Sequence, residues 1–247
     1  MAKIPSDFED CGLCLSEIFR QTLLAIKPGK RLSEINQLAE DLIAQSQCQA
    51  SFKTVKDYQW ATCLNLNAGI VHGIPDQKVV RRGDLVSLDL GIFGNWHTDM
   101  AYTIEVETNK QSRLLDAGRL ALDRAIATAR SGNRVGDISL AIQETIEGAG
   151  YTLIKELVGH GVGQSLHQTP WIPGVLMGPI EQTPLLEEGM ALAIEVIYTS
   201  GQDGTRRCQD GWTIETRDGR ISALFEKTIL VAKNGGKQIT PFTWERQ

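Results

Sequence analysis

The feature of this chain that most constrains its fold is a faint internal repeat. Residues 27–35 and residues 130–138 lie 103 positions apart, and each segment places a glycine between two stretches with the apolar spacing of a helix. Residues 81–89 and 187–195 are offset by 106 positions, and each is a turn followed by an apolar, strand-like run that ends in an acid. The order helix, turn, helix, strand therefore occurs twice, which predicts two related α+β halves whose sheets join.

The repeat also predicts how the chain divides. A length of 247 residues suits one large domain or two tightly fused halves. We expect a single domain over residues 1–247, built from pseudo-symmetric halves at about 7–108 and 109–247. In each half the second helix is expected to begin at a capping-type residue, Ser33 or Asp137.

Five possible metal ligands lie within the strand-like runs or beside glycine. A lone ionised carboxylate in such a run is costly to bury. With the four acids ionised and the histidine neutral, the set carries a charge of about −4, which two divalent cations would balance. The sequence therefore predicts one dinuclear metal centre shared by the two halves. Its expected ligands are Asp89, Asp99, His160, Glu195 and Glu226.

The two aspartates are expected to meet through a hairpin. Alternation along residues 85–92 puts Asp89 on one face of a strand, and the turn at 93–95 returns the chain past Asp99. Two adjacent carboxylates repel unless a cation or a shared proton lies between them. Taken singly, each acid has a simpler interpretation. One aspartate could form a salt bridge and the other a turn, and Glu195 or Glu226 could face solvent from an edge strand.

Two further histidines flank the expected ligands and are natural proton and hydrogen-bond partners of a metal site. His167 shares the glycine-rich stretch 159–167 with His160, where glycine lets the backbone approach a ligand closely. His72 stands beside a turn in residues 71–75, and a purely structural role is its competing interpretation. Imidazole is a common ligand and proton carrier near neutral pH.

Composition excludes several classes of function. A net charge of −5 gives no basis for specific or non-specific nucleic-acid binding, and no basic run suggests an anionic membrane partner. No apolar stretch approaches the roughly 18 residues that span a bilayer. The amino terminus does not resemble a signal peptide, and the five irregularly placed cysteines suggest reduced thiols. We therefore expect a cytoplasmic protein.

Taken in order, these motifs resemble those of the type I methionine aminopeptidases over roughly residues 8–242. The fold of that family, called pita-bread, is a pseudo-twofold α+β arrangement around a dinuclear metal centre, in agreement with the repeat. The resemblance rests on Asn67, His72-Gly73-Ile74-Pro75, Gly83-Asp84, Asp89, His97-x-Asp99, Gly159-His160-Gly161-Val162-Gly163-x3-His167, Ile194-Glu195, Asp210-Gly211-Trp212-Thr213 and Glu226-x-Thr228-Ile229.

The resemblance implies a metalloaminopeptidase that removes the N-terminal methionine from peptides and nascent proteins. A hydroxide bridging two divalent ions (Co, Mn, Fe or Zn) would attack the scissile carbonyl, with Asp99 and Glu226 as bridging carboxylates. Glu195 would accept a proton, His167 would stabilise the oxyanion, and His72 would contact the scissile amide. A pocket for the methionine side chain would be lined by Tyr58, Cys63, Leu166 and Trp212. The substrate class implies a transient encounter with the ribosome, and we expect a monomer.

Some positions depart from the usual family pattern, and we expect them around the side-chain pocket: Val196, Lys227, Leu166 and the segment 55–60. An altered substrate range is therefore a further hypothesis. Two other interpretations remain at this point. One is a related pita-bread peptidase that acts on X-Pro bonds, an aminopeptidase P or prolidase, and the other is a non-catalytic pita-bread binding protein.

Overall fold

Four helices cover one face of a large antiparallel sheet in the computed structural model, which describes residues 7–243. The helices are α1 (Phe8–Leu24), α2 (Leu32–Gln45), α3 (Ser112–Thr128) and α4 (Val135–Gly148), with short 3-10 helices at Ser51–Thr54 and Ile180–Gln182. The strands are β1 (Gln49–Ala50), β2 (Thr62–Leu66), β3 (Gly69–Val71), β4 (Leu85–Phe93), β5 (His97–Glu105), β6 (Thr152–Leu153), β7 (Val158–Gly161), β8 (Gln168–Pro173), β9 (Ala191–Thr199), β10 (Thr205–Arg207), β11 (Ile214–Thr216), β12 (Ser222–Ala232) and β13 (Gly235–Gln238).

The sheet joins strands from both halves of the chain. Its main path runs β1-β4-β5-β12-β9-β7-β8, while β2 pairs with β4, β6 with β9 and β13 with β12. The β5–β12 pair is the junction between the halves, because β5 belongs to the first and β12 to the second. A separate small sheet, β10-β11-β3, packs on the face opposite the helices through a second apolar cluster that includes Val71, Ala101 and Leu224.

Alternation along the strands separates a core face from a site face. In β4 the even-numbered residues Val86, Leu88 and Leu90 are fully buried in the main apolar core beneath the helices. Because successive side chains point to opposite faces, Asp89 is turned away from that core. The predicted alternation is therefore confirmed, and the acids share the face that the helices do not cover.

The doubling predicted from the sequence is confirmed in the arrangement of the elements. The first helix of each half has 17 residues and the second has 14. Gly29 and Gly132 occupy equivalent turns at φ +90° and +92°, where a side chain would be strained. Their N–H groups donate to the backbone oxygens of Val80 and Leu186, which themselves lie 106 residues apart.

The predicted helix starts were wrong by one and two residues. Helix α2 begins at Leu32 and α4 at Val135, not at Ser33 and Asp137. The physical reason is that the acid at the third helical position folds back. Asp137 accepts a hydrogen bond of 2.7 Å from the N–H of Arg134, and the first half repeats this contact. Within the described residues, none of the helices is both long and apolar enough to cross a bilayer.

Candidate metal centre and substrate cavity

The strand register assembles the acids into a row across the site face. Asp89 on β4 stands opposite Ala101 on β5, Ala101 stands opposite Glu226 on β12, and Glu226 stands opposite Glu195 on β9. Asp99 lies two residues before Ala101 and therefore shares its face. Both glutamates are in central strands of the sheet, so the interpretation of either as a solvent-facing edge residue was wrong.

His160 reaches the acids from the next strand. It stands opposite Ala193, two residues before Glu195, and its Nε2 lies 3.5 Å from Asp99 Oδ2 and 3.7 Å from Glu195 Oε1. Nε2 also lies 4.0 Å from Glu226 Oε1. One ligand atom each from Asp99, His160 and Glu226 falls within 4.8 Å of the others, and all three residues are buried.

The contact made by the other ring nitrogen of His160 indicates which tautomer can bind a metal. Nδ1 lies 3.0 Å from the backbone oxygen of Gly161, and a carbonyl oxygen can only accept a hydrogen bond. A neutral imidazole in this position therefore carries its proton on Nδ1. Its Nε2 lone pair then faces the acids, which is the arrangement that a metal ligand needs.

The four carboxylates are in an environment that disfavours their charge. Burial, and then repulsion from Asp99, raises the pKa of Asp89 well above its usual value. The pKa values of Glu195 and Glu226 are raised for the same two reasons, burial first and neighbouring acids second. Burial also raises the pKa of Asp99, although the neighbouring His160 and a hydrogen bond from Thr228 oppose this effect.

These residues fit a divalent cation. Oδ1 of Asp89 is buried and has no hydrogen-bond partner in the described structure, so a ligand oxygen is available there. Carboxylate oxygens and one imidazole nitrogen form a donor set that suits first-row divalent metals. A bound cation would also offset the repulsion that contributes to the raised pKa values of Asp89, Glu195 and Glu226.

His72 and His167 lie at the rim of the same site. The rings of His167 and His160 meet edge-on with centroids 4.5 Å apart. Partial burial and the neighbouring histidines lower the pKa of His167 to about 4, so this imidazole is neutral near pH 7. His72 has a left-handed backbone at φ +57°. Burial, and then the Arg207 cation, lowers the pKa of its imidazole.

A cavity of about 170 Å³ brings the predicted site residues together. Tyr58, Cys63 and Leu166 form a buried apolar cluster, and the ring of Trp212 packs edge-on against Tyr58 with centroids 5.0 Å apart. The Tyr58 hydroxyl lies 3.2 Å from Cys63 Sγ, which fixes the aromatic wall against β2. The residues that line the cavity are Phe52, Val55, Tyr58, Cys63, Val71, His72, Asp89, Asp99, His160, Leu166, His167, Glu195, Trp212 and Glu226.

The cavity differs from the sequence-based expectation in two respects. Two buried residues of its wall were missed: Phe52, from the 3-10 helix before the expected pocket segment, and Val71, at the end of β3. Val196 and Lys227 were expected around the pocket, and this was wrong. Each follows a site-facing glutamate and therefore points to the helix side. Val196 is fully buried there, and Lys227 Nζ donates to Gln238 Oε1 at 2.7 Å.

Known proteins share both the sequence pattern and the fold. The model of metallopeptidase family M24 matches residues 7–233. Methionine aminopeptidase 1 of Bacillus subtilis is 37% identical over 213 residues, which cover 85% of each chain. The crystal structure of methionine aminopeptidase from Thermotoga maritima superimposes with a TM-score of 0.91 at 35% identity, covering 98% of this chain and 100% of that one. Prolidase from Pyrococcus furiosus, at 24% identity, a TM-score of 0.74 and coverage of 98% and 66%, shares the fold. Because the family model matches nearly the whole chain, the protein belongs to metallopeptidase family M24.

Proposed function

We propose that the protein is a methionine aminopeptidase, a metal-dependent hydrolase that removes the N-terminal methionine from peptides and nascent proteins. The observation that carries this proposal is a row of buried acids beside a small apolar cavity. A linear thioether side chain suits a cavity walled by Leu166, Cys63 and aromatic rings. The relatives named methionine aminopeptidase support the same activity. The X-Pro alternative is supported by a likeness of fold alone.

Two divalent ions are the cofactor in this proposal, drawn from Co, Mn, Fe and Zn. The residues that would hold them are Asp89, Asp99, His160, Glu195 and Glu226. When bound, such ions polarise a carbonyl and lower the pKa of water. Asp99 and Glu226 lie on neighbouring strands in the middle of the row, where their carboxylates would help to hold both ions.

We assign proton transfer and substrate hydrogen bonding to three side chains of the protein. Glu195, whose pKa is raised by burial, is suited to accept a proton and return it to the leaving amine. His167 is neutral near pH 7 and donates a hydrogen bond to the oxygen that becomes negative. His72 contacts the scissile amide from the rim of the cavity.

We further propose that residues 1–247 act as one catalytic domain with halves at about 7–108 and 109–247. The large sheet is continuous across the β5–β12 junction, which supports a single domain made of two halves. We also propose that the protein acts in the cytoplasm as a monomer and meets nascent chains at the ribosome transiently; the proposed substrate class supports the encounter with nascent chains.

The test measures metal content and peptide turnover on the same purified sample. We expect hydrolysis of Met-Ala-Ser to rise with added divalent metal and an X-Pro dipeptide to remain intact. Turnover of the X-Pro peptide instead would favour the prolidase alternative. Metal-free protein that binds no divalent ion in a calorimetric titration would support the non-catalytic alternative.

A further inference from the structure

We propose that Trp171 forms an apolar subsite for the residues that follow the scissile bond of a peptide substrate. This inference rests on the proposed function and extends it to the part of the substrate outside the methionine cavity. Trp171 lies in β8, the edge strand of the large sheet, four residues after His167. Its side chain is 51% exposed and is available to a ligand.

The burial of its neighbour in β8 indicates which way the Trp171 side chain points. Gly159 stands opposite Ile172, and a Cβ atom added to Gly159 would lie 3.5 Å from the Ile172 Cβ, so these two residues share a face. Ile172 is fully buried in the core beneath the helices. The pairing is irregular between Gly159 and Gly161, because Gly161 stands opposite Gln168, so β8 carries extra residues beside His160. Trp171 directly precedes Ile172 in β8 and is exposed where Ile172 is buried, so its side chain points away from the core beneath the helices.

The order of strands then places Trp171 at one end of the site. Cys63 in the cavity wall stands opposite Asp89 on β4, whereas Trp171 lies beyond His160 at the other end of the row. A peptide whose first side chain fills the cavity, with its scissile carbonyl over the acids, has its later residues free to extend toward β8. The connecting surface is open, because His167 and the next two residues are exposed.

The chemistry of the subsite follows from the indole ring. A flat aromatic face binds aliphatic and aromatic side chains with little selectivity among them and disfavours anionic ones. The expected ligand is therefore an extended peptide with an apolar residue a short distance after its N-terminal methionine.

The test compares pairs of hexapeptides that begin Met-Ala and differ only in phenylalanine or serine at one of positions three to six. For the unaltered protein we expect a KM about three- to tenfold lower for the phenylalanine peptide at one of these positions, the range of one aromatic contact. Trp171→Ala should bring the two KM values together, and Trp171→Phe should retain part of the difference. The kcat ratio of each pair should stay near one.

Leu120→Ala provides the matched control, because Leu120 is a 47% exposed apolar residue on α3, in the helix layer. It should keep the full KM difference. Equal KM values at all four positions in the unaltered protein, or a difference that survives in Trp171→Ala, would overturn the inference. Failure of the proposed function is a separate result, in which metal-loaded protein does not hydrolyse Met-Ala-Ser. Dissociation constants of the same peptides, measured by calorimetry, then test the Trp171 subsite without turnover.

Discussion

The rings of His160 and His167 meet edge-on, but their surroundings suit the two residues to different chemical roles. His160 is held by the Gly161 carbonyl and directs Nε2 at three acids, whereas His167 is partly exposed at the rim. Partial burial, and then the neighbouring histidines, lower the pKa of the second imidazole to about 4, so it is neutral near pH 7. A ligand and a hydrogen-bond donor can therefore be distinguished by which group each ring faces, although both are histidines in one glycine-rich stretch.

Replacing each histidine in turn separates these roles. We expect His160→Ala to lose bound metal, whereas His167→Ala should keep its metal and lower kcat by about 10²- to 10³-fold, the typical effect of one oxyanion donor. Elemental analysis and steady-state kinetics on the same samples distinguish the two outcomes. His97→Ala is the control, because His97 is buried against Phe93 and Ser51 and does not line the cavity. Loss of metal from His167→Ala would make that residue a ligand.

Phe52 is a residue of the cavity wall that the sequence did not predict. It lies in an irregular segment where no periodicity indicates a direction, and only the packing of the 3-10 helix against β4 brings its ring into the cavity wall. There it meets Tyr58 edge-on, with centroids 6.5 Å apart. We infer that the ring limits the width of the cavity and thereby the range of first residues that it accepts.

Phe52→Leu should therefore relax selection of the first residue. A smaller wall admits branched or aromatic side chains, and a methylene-sized difference changes discrimination by about 10-fold or more. The measurement is kcat/KM for Leu-Ala-Ser relative to Met-Ala-Ser. Phe225→Leu is the control, because Phe225 is fully buried on the helix side and should lower stability without moving this ratio. An unchanged ratio in Phe52→Leu would show that the ring does not set specificity.

At the scale of elements, the β5–β12 junction is held by two threonines that make the same kind of contact. Thr103 on β5 accepts from the Leu224 N–H and donates to the Leu224 carbonyl. Thr228 on β12 does the same for the backbone of Asp99, and its hydroxyl also lies 3.1 Å from Asp99 Oδ1. Only the second threonine touches a carboxylate of the proposed centre, so it joins the two halves and orients a ligand at once.

Thr228→Val keeps the shape of the side chain and removes its hydroxyl. We expect metal affinity to fall about 10- to 100-fold, as for other groups that orient a ligand, and stability to fall by about 1–3 kcal/mol because a buried N–H loses its partner. Thr103→Val should show a similar loss of stability with unchanged affinity. Calorimetric metal titration and urea unfolding measure the two quantities. Equal affinities in both variants would exclude an orienting role for Thr228.

The sequence predicted regular elements better than irregular ones. The alternation in β4 determined which face Asp89 occupies, because a period of two leaves only one choice once the core face is known. The same rule, applied to the residue after Glu226, would have placed Lys227 away from the pocket. The 3-10 segment at Ser51–Thr54 and the edge position of Trp171 depend on long-range packing, which local patterns do not encode.

At the scale of the whole molecule, neither half contains a complete set of the proposed ligands. The first half supplies Asp89 and Asp99 from a hairpin, and the second supplies His160, Glu195 and Glu226 from three strands. Joining the halves therefore concentrates four carboxylates in one buried region. This concentration opposes folding when the acids are ionised and no cation is present, so metal binding and stability are coupled.

This coupling predicts an unusual pH dependence for metal-free protein. The pKa values of the four acids are raised in the folded state, so their contribution to stability is fully present below the unfolded values near 4 and is lost as pH rises through the folded values. We expect the Tm of metal-free protein to fall, relative to that of metal-loaded protein, as pH rises above the unfolded values of about 4. Differential scanning calorimetry of both forms gives this difference at each pH.

Two variants test the origin of this pH dependence. Glu195→Gln removes one of the charges and should make the fall in Tm shallower, whereas Glu144→Gln, on the solvent side of α4, should leave it unchanged. Parallel pH profiles for the metal-free and metal-loaded forms would contradict the coupling.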